Sequence, residues 1–335
     1  MTVRILSREL SEDDLRSLEP EETVVQLSRL PTDAQMRRLA TILEARPDAT
    51  LRLWDAYGDW MHELPFLRFF PGLRHFAVDS YSGLRSLAGL RHLTDLESLQ
   101  VASTKHPLSL KPIETFTGIR LLSVEGPHRD YEAISALTAL EDLTLRSVTL
   151  PNLSVLLPLE RLRSLDIKLG GTRDLALLPR IGRIVYLELW MIRGLDDVTA
   201  IAGVETLQHL FLEALARVTR LPSFARSVAL RRVDLATMKG LTDLAPLAEA
   251  PNLEILNLGG MRHADPEILQ PFVGHPTLRA GSWGFGSIRK NFAAQDLLRL
   301  PPEPYRYAYV RRGETSSPDW LPWDAPDWPG FRSAD

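Results

Sequence analysis

Leucine and its apolar equivalents recur along this chain on the frame L-x-x-L-x-L, and the recurrence predicts its architecture. The frame reads LESLQV from Leu96, IRLLSV from Ile119, LEDLTL from Leu140, LRSLDI from Leu162, IVYLEL from Ile184, LQHLFL from Leu207, LRRVDL from Leu230 and LEILNL from Leu253. The intervals are 23, 21, 22, 22, 23, 23 and 23 residues, the period of small units stacked side by side. No such unit can bury its leucines alone, so each is stabilised by its neighbours. LRHFAV from Leu73 fits the frame, looser copies lie around Leu51 and Val25, and the match decays at LRAGSW from Leu278.

Alternation within each unit predicts a short strand whose positions 4 and 6 enter the core while positions 3, 5 and 7 face the other way. Residues 184–191, IVYLELWM, show what the register adds. Taken as a window, they form an apolar run with one misplaced acid. In register, Leu187 and Leu189 are core, whereas Tyr186, Glu188 and Trp190 share the opposite face, in water, and Glu188 needs no buried partner. Return segments such as DLAPLAEAPN carry leucines back and bend at prolines. Near the N-terminus, TDAQMRRLATILEARPD places Met36, Leu39, Ile42 and Leu43 at helical spacing behind an acidic start, which predicts a helix on an early repeat.

The units GLTDLAPLAEAPNLEILNLGG at 240–260 and GLRSLAGLRHLTDLESLQVAS at 83–103 carry a resemblance. Over roughly residues 70–285 the chain resembles bacterial leucine-rich repeat proteins of the internalin-like or SDS22-like kind. The resemblance implies an α/β solenoid, a leucine-rich repeat horseshoe with a parallel concave sheet of about 10–12 strands and short helical or irregular convex segments. It divides the chain into an N-terminal cap with a first irregular repeat (1–50), the solenoid (51–285), and a C-terminal cap with a Pro/Trp-rich tail (286–335). In one respect the chain departs from that family. The asparagine usual three positions after the last strand leucine is replaced by Thr104, Val148, Gly170, Ile192, Leu215, Met238 and Met261, so the turns are expected to rest on apolar packing.

Composition then narrows the chemistry. The 335 residues contain no cysteine, which excludes disulfides, thiolate metal sites and cysteine nucleophiles. Lys+Arg 39 against Asp+Glu 43 gives a formal charge of −4, without the basic footprint of a nucleic-acid surface. The start, MTVRILSRELSEDD, turns acidic before any apolar run develops, and no stretch is long enough to span a bilayer. A cytoplasmic protein with neither nucleic-acid nor membrane partner is the expectation. Phosphate-binding, zinc-protease and serine-hydrolase signatures are missing, and GFGSIR at 284–289 lacks the third glycine of a dinucleotide loop. His263, Asp265 and Glu267 could be written as metal ligands, but such spacing on a loop is common by chance, and a solvated turn is the expectation. No enzyme activity and no cofactor are expected.

The register offers a more specific site. Position 5 runs Ala77, Gln100, Ser123, Thr144, Asp166, Glu188, Phe211, Asp234 and Asn257; position 7 includes Arg146, Lys168, Trp190 and Glu213; position 3 adds Tyr186, His209 and Arg232. Small neutral residues occupy one end, and large or charged ones the middle. Aromatics set among polar groups compose an interface hot spot. The candidate partner-binding patch is therefore Asp166, Lys168, Tyr186, Glu188, Trp190, His209, Phe211, Glu213, Arg232 and Asp234, facing a protein or peptide of basic and apolar character. The rival reading is an effector, immunity or regulatory protein acting through its non-repeat terminal segments. Of these, the C-terminal one alternates Tyr305, Tyr307 and Tyr309 and repeats PDW around Trp320 and Trp328, with Trp323 between. A packed arm, a linear motif and a disordered end are all compatible with that composition.

Overall fold

The computed structural model describes residues 2–6, 22–55 and 61–301. The strands are β1 (Thr2–Leu6), β2 (Glu22–Leu27), β3 (Thr50–Asp55), β4 (His75–Tyr81), β5 (Ser98–Val101), β6 (Leu121–Glu125), β7 (Asp142–Arg146), β8 (Ser164–Lys168), β9 (Tyr186–Trp190), β10 (His209–Glu213), β11 (Arg232–Ala236), β12 (Ile255–Gly259) and β13 (Ala280–Trp283). They follow one another in chain order. The twelve strands from β2 onward meet the expected repeat count, and β1 precedes the first recognised repeat. By packing, the chain divides into one compact unit running up to Leu143 and another from Thr144 onward.

In the first unit, β1 to β6 pair in parallel, with Leu51 opposite Phe76, Phe76 opposite Leu99 and Leu99 opposite Leu122. These residues are buried, as positions sent to one side of a pleated strand should be. The expected N-terminal helix is α1 (Asp33–Glu44), started by a capping box in which Thr32 and Gln35 satisfy each other's backbone N–H groups. It buries Met36, Leu39, Ala40 and Leu43. Ile42, placed on the same face by its spacing, is only half-buried.

The second unit keeps the register through β8 to β13. Leu165, Leu187, Leu210, Val233 and Leu256 form one core row, and Ile167, Leu189, Leu212, Leu235 and Leu258 the next. Most returns are short 3₁₀ turns, such as Leu178–Arg180 and Thr199–Gly203, and one is a single helical turn, α2 (Ala245–Ala248). A polar side chain heads several of them: Asn152, Asp174, Asp197 and Asp243 each accept from the backbone N–H two residues ahead. Such side-chain turns divert the backbone out of extended structure. The unit's last helix in the described residues, α3 (Ile288–Leu298), packs on the turn at Pro266–Phe272 and on β13.

The missing asparagines are replaced in two ways. Val148, Ile192, Leu215, Met238 and Met261 are buried, so apolar packing does hold these positions. The backbone supplies the rest. Ser147, Leu169, Met191, Ala214 and Thr237 follow their strands in the left-handed region, with φ between 49° and 60°. Each donates its N–H to the last carbonyl of the next strand, at 2.7–2.9 Å. Among the described residues, no helix is long and apolar enough to cross a membrane.

Candidate functional site

Ten side chains were expected on the strand face opposite the leucine core, and the register places all ten there. Tyr186, His209 and Arg232 are consecutive partners at position 3; Asp166, Glu188, Phe211 and Asp234 at position 5; Lys168, Trp190 and Glu213 at position 7. The structure departs from expectation in their exposure. Tyr186 retains 3% of its surface, Phe211 2%, Glu188 8%, and Asp166 and Asp234 none. His209 and Arg232 are equally buried. Only Lys168, Trp190 and Glu213 are half-exposed, together with Arg146. The repeat period fixes which face a residue joins, whereas burial on that face depends on what packs there. Large side chains on strands about 4.8 Å apart close against one another sideways.

Two hydrogen-bonded clusters make up the buried layer. In the first, the Lys168 ammonium lies 3.2 Å from Asp166 Oδ2 and 2.9 Å from Glu188 Oε2. Thr144 donates its hydroxyl to Asp166 at 3.1 Å, and the Tyr186 hydroxyl donates to Glu188 at 3.0 Å. Glu188 therefore has buried partners, contrary to the sequence reading. Burial, and then the neighbouring Asp166 carboxylate, raise its pKa to about 7 against the pull of Lys168. Burial, Glu188 and Asp166 push the Tyr186 phenol well above its usual range. Burial also raises Glu213.

The second cluster centres on Asp234. Arg232 donates to it through Nε at 2.8 Å and Nη2 at 3.2 Å, Asn257 through Nδ2 at 2.6 Å, and His209 Nε2 lies 2.5 Å from Oδ2. Ser282 extends the chain by donating to Asn257 Oδ1 at 3.0 Å. Burial alone would raise the Asp234 pKa, but the His209 and Arg232 contacts outweigh it and hold it below the usual carboxylate range. Burial lowers the His209 pKa against the pull of Asp234, and with a carboxylate as its partner the imidazole Nε2–H donates to Asp234. Tyr186 joins the clusters, its ring edge-on to His209 with centroids 4.9 Å apart.

Chemically, both clusters spend their groups on each other. The His209 Nε2 is committed to Asp234 and the Ser282 hydroxyl to Asn257. The loop residues that could be written as metal ligands have other partners. His263 bonds the Leu241 carbonyl, Asp265 pairs with Lys290 at 2.8 Å, and among the described residues no three potential ligands gather. What faces outward is a strip: Arg146 stacked over the Trp190 ring at 5.7 Å, with Lys168 and Glu213 beside it and Met191 48% exposed at its end. Sequence reasoning missed Ser282 because the leucine frame decays at its repeat. Continuing the frame from Leu278 would have placed it at position 5.

No protein-family model and no curated protein matches the sequence. Among solved structures, internalin C2 of Listeria monocytogenes is similar at 22% identity, over 58% of this chain and 82% of that one, with a TM-score of 0.45. A leucine-rich repeat protein of Leptospira interrogans is similar at 13% identity, over 90% and 96%, with a TM-score of 0.45. The TLR13–ssRNA13 complex is similar at 15% identity, over 87% of this chain and 48% of that one, with a TM-score of 0.49. At such distances the class rests on the chain's own features. A 21–23-residue leucine frame, one strand per repeat in chain order, and short 3₁₀ returns define a leucine-rich repeat solenoid.

Proposed function

We propose that this chain is a non-enzymatic binding module that takes a protein or peptide partner on the polar face of its second unit. The observation that carries the reading is the half-exposed strip of Arg146, Lys168, Trp190 and Glu213 above the buried hydrogen-bonded layer. A rigid base that fixes an aromatic flanked by charges is the anatomy of a binding hot spot. Over the whole face four acids, Asp166, Glu188, Glu213 and Asp234, meet the bases Arg146, Lys168 and Arg232, although the half-exposed strip itself has two bases and one acid; the partner with basic and apolar side chains is read from the whole face. A cytoplasmic location is part of the same proposal.

The test is to pan a random peptide-display library on the full chain and re-measure enriched peptides on a Trp190→Ala, Glu213→Arg variant. Enrichment of arginine or lysine beside aromatic residues, with affinity lost about tenfold or more in the variant, supports the reading. Peptides that bind wild type and variant equally would sink it.

A further inference from the structure

Glu213 is the one acid of the half-exposed strip, and its carboxylate is left without a partner. The register seats it between Trp190 on β9 and Ala236 on β11, with Gly259 on β12 beyond. Among the described residues it makes no side-chain hydrogen bond or ion pair. Both bases of the strip are engaged elsewhere: Lys168 bridges Asp166 and Glu188, and Arg146 lies over the Trp190 ring. Lys168 is also two strands from Glu213, roughly 9.6 Å at about 4.8 Å per strand. Burial raises the Glu213 pKa, and the Lys168 charge opposes it only in part. A carboxylate taken partly out of water with no partner lacks the contact that would offset its lost hydration. A cation brought from outside supplies that contact.

The neighbours of Trp190 divide the strip by charge. On the β8 side stands Lys168, and over the ring stands the Arg146 guanidinium at 5.7 Å. A base from a partner would meet like charge there, so what Trp190 offers is apolar contact. On the β10 side stands Glu213. Past it, Ala236 is buried and Gly259 half-exposed, and neither carries anything longer than a methyl group to compete for the carboxylate. The order across the strands is therefore cationic, aromatic, anionic and then small.

Spacing turns this order into a sequence preference. Trp190 and Glu213 sit on adjacent strands, and a group bound on the far side of Glu213 lies about one and a half strand spacings from Trp190, roughly 7 Å. Alternate side chains of an extended peptide are about 6.8 Å apart. We propose that Glu213 is the seat for a basic side chain of the partner, two residues from an apolar or aromatic side chain that rests on Trp190, with the peptide extended across the strands from β9 towards β11. This inference rests on the reading of the polar face as a peptide site. It gives that site a motif: an apolar residue, any residue, then arginine or lysine, in either chain direction.

The probe is a display library with one tryptophan or phenylalanine fixed between randomised flanks, panned on the full chain and on its Glu213→Arg variant, with circular dichroism to check that the variant keeps its fold. Arginine or lysine should be enriched two residues from the fixed aromatic on wild type, and aspartate or glutamate at the same place on the variant. A synthetic peptide of the wild-type consensus should lose about tenfold or more in affinity on Glu213→Arg and regain most of it when its base is replaced by glutamate. Glu213→Gln, which keeps the shape without the charge, should weaken the same peptide about threefold or more, and it decides the matter if Glu213→Arg does not fold. Bases enriched at no fixed distance from the aromatic, or equal affinity for wild type and Glu213→Gln, overturn the seat. If those peptides still lose affinity on Trp190→Ala, the seat alone has failed and the binding face stands. If they bind Trp190→Ala as well as wild type, the reading of the face itself has failed.

Discussion

β5 and β6 in the first unit alternate half-buried and buried residues, whereas β8, β9 and β10 in the second are buried at four successive positions. The leucine frame is the same in both. Gln100 and Ser123 occupy position 5 in the first unit, where the second has Asp166, Glu188, Phe211 and Asp234. Ion pairs divide likewise. Arg52 and Asp79 pair with about a quarter of each side chain exposed, while Arg232 and Asp234 pair with at most 1% exposed. The half-buried alternation belongs to β5 and β6, since β2 and β4 in the first unit are also buried at four successive positions, through Gln26, His75 and Ala77, but the buried ion pairs described above lie in the second unit. The leucines account for the fold, and the variable positions decide what the unit can hold.

The sharpest way to break this contrast is to delete one carboxylate from each pair. Asp234→Ala strands the Arg232 guanidinium in a buried layer and removes acceptors from His209 and Asn257, at a cost of about 3–5 kcal/mol. Asp79→Ala, in the partly exposed pair, should cost about 1 kcal/mol or less. Urea unfolding followed by circular dichroism checks both. Equal losses would mean that the two faces do not differ in kind.

Next in size is the pH dependence of the second unit. Glu188, raised to about 7, keeps a proton in the folded chain that the unfolded chain releases near pH 4.5. Its contribution is complete below that pH and is lost as pH rises towards 7. At about 1.4 kcal/mol per pH unit this amounts to about 3 kcal/mol. His209, lowered by burial, works in the opposite sense, its contribution lost as pH falls below its usual range. The difference between wild type and Glu188→Gln isolates the glutamate. The variant should gain relative stability between pH 5 and 8, and a pH-independent difference would remove the proton from Glu188.

These effects mark how far the sequence could be read. Repeat period, parallel strands, the N-terminal helix and the face occupied by each of the ten candidate residues follow from alternation, which is local and geometric. Exposure was misjudged for Tyr186, Glu188 and Phe211 because burial on that face is set by residues about 23 positions away and by whatever lies above the strands. Like charges on neighbouring strands repel, as Asp166 and Glu188 would alone; Lys168 turns the pair into a bridge. The proline- and tryptophan-rich tail, read as packed arm, motif or disordered end, lies outside the described residues.

A smaller effect concerns the turns. A Cβ on Gly170 would fall 1.8 Å from the Val148 carbonyl oxygen, so Gly170→Ala must displace backbone and should cost about 2 kcal/mol, the range of overpacking. Restored stability in a variant that also shortens residue 148 would not be expected, because the obstacle is main chain. A lowered urea midpoint in both single and double variants checks this.

The smallest prediction compares the units at one position. Gly126 and Ser147 both follow their strands with left-handed backbone, at φ 95° and 56°. Glycine follows β6 at Gly126 and β12 at Gly260, and the five strands between them accept the strain of a side chain in succession. Left-handed backbone costs a residue with a Cβ about 1–2 kcal/mol, of which glycine's greater freedom in the unfolded chain offsets part. Ser147 is exposed, so its side chain contributes little burial. Ser147→Gly should therefore stabilise by about 0.5 kcal/mol. Gly126→Ala should destabilise by about 1 kcal/mol or more, since its Cβ would also press on the Ser103 hydroxyl at 2.7 Å. A loss in both variants would show that Ser147 contributes to the second unit through its side chain, and the turn could not then be explained by backbone alone.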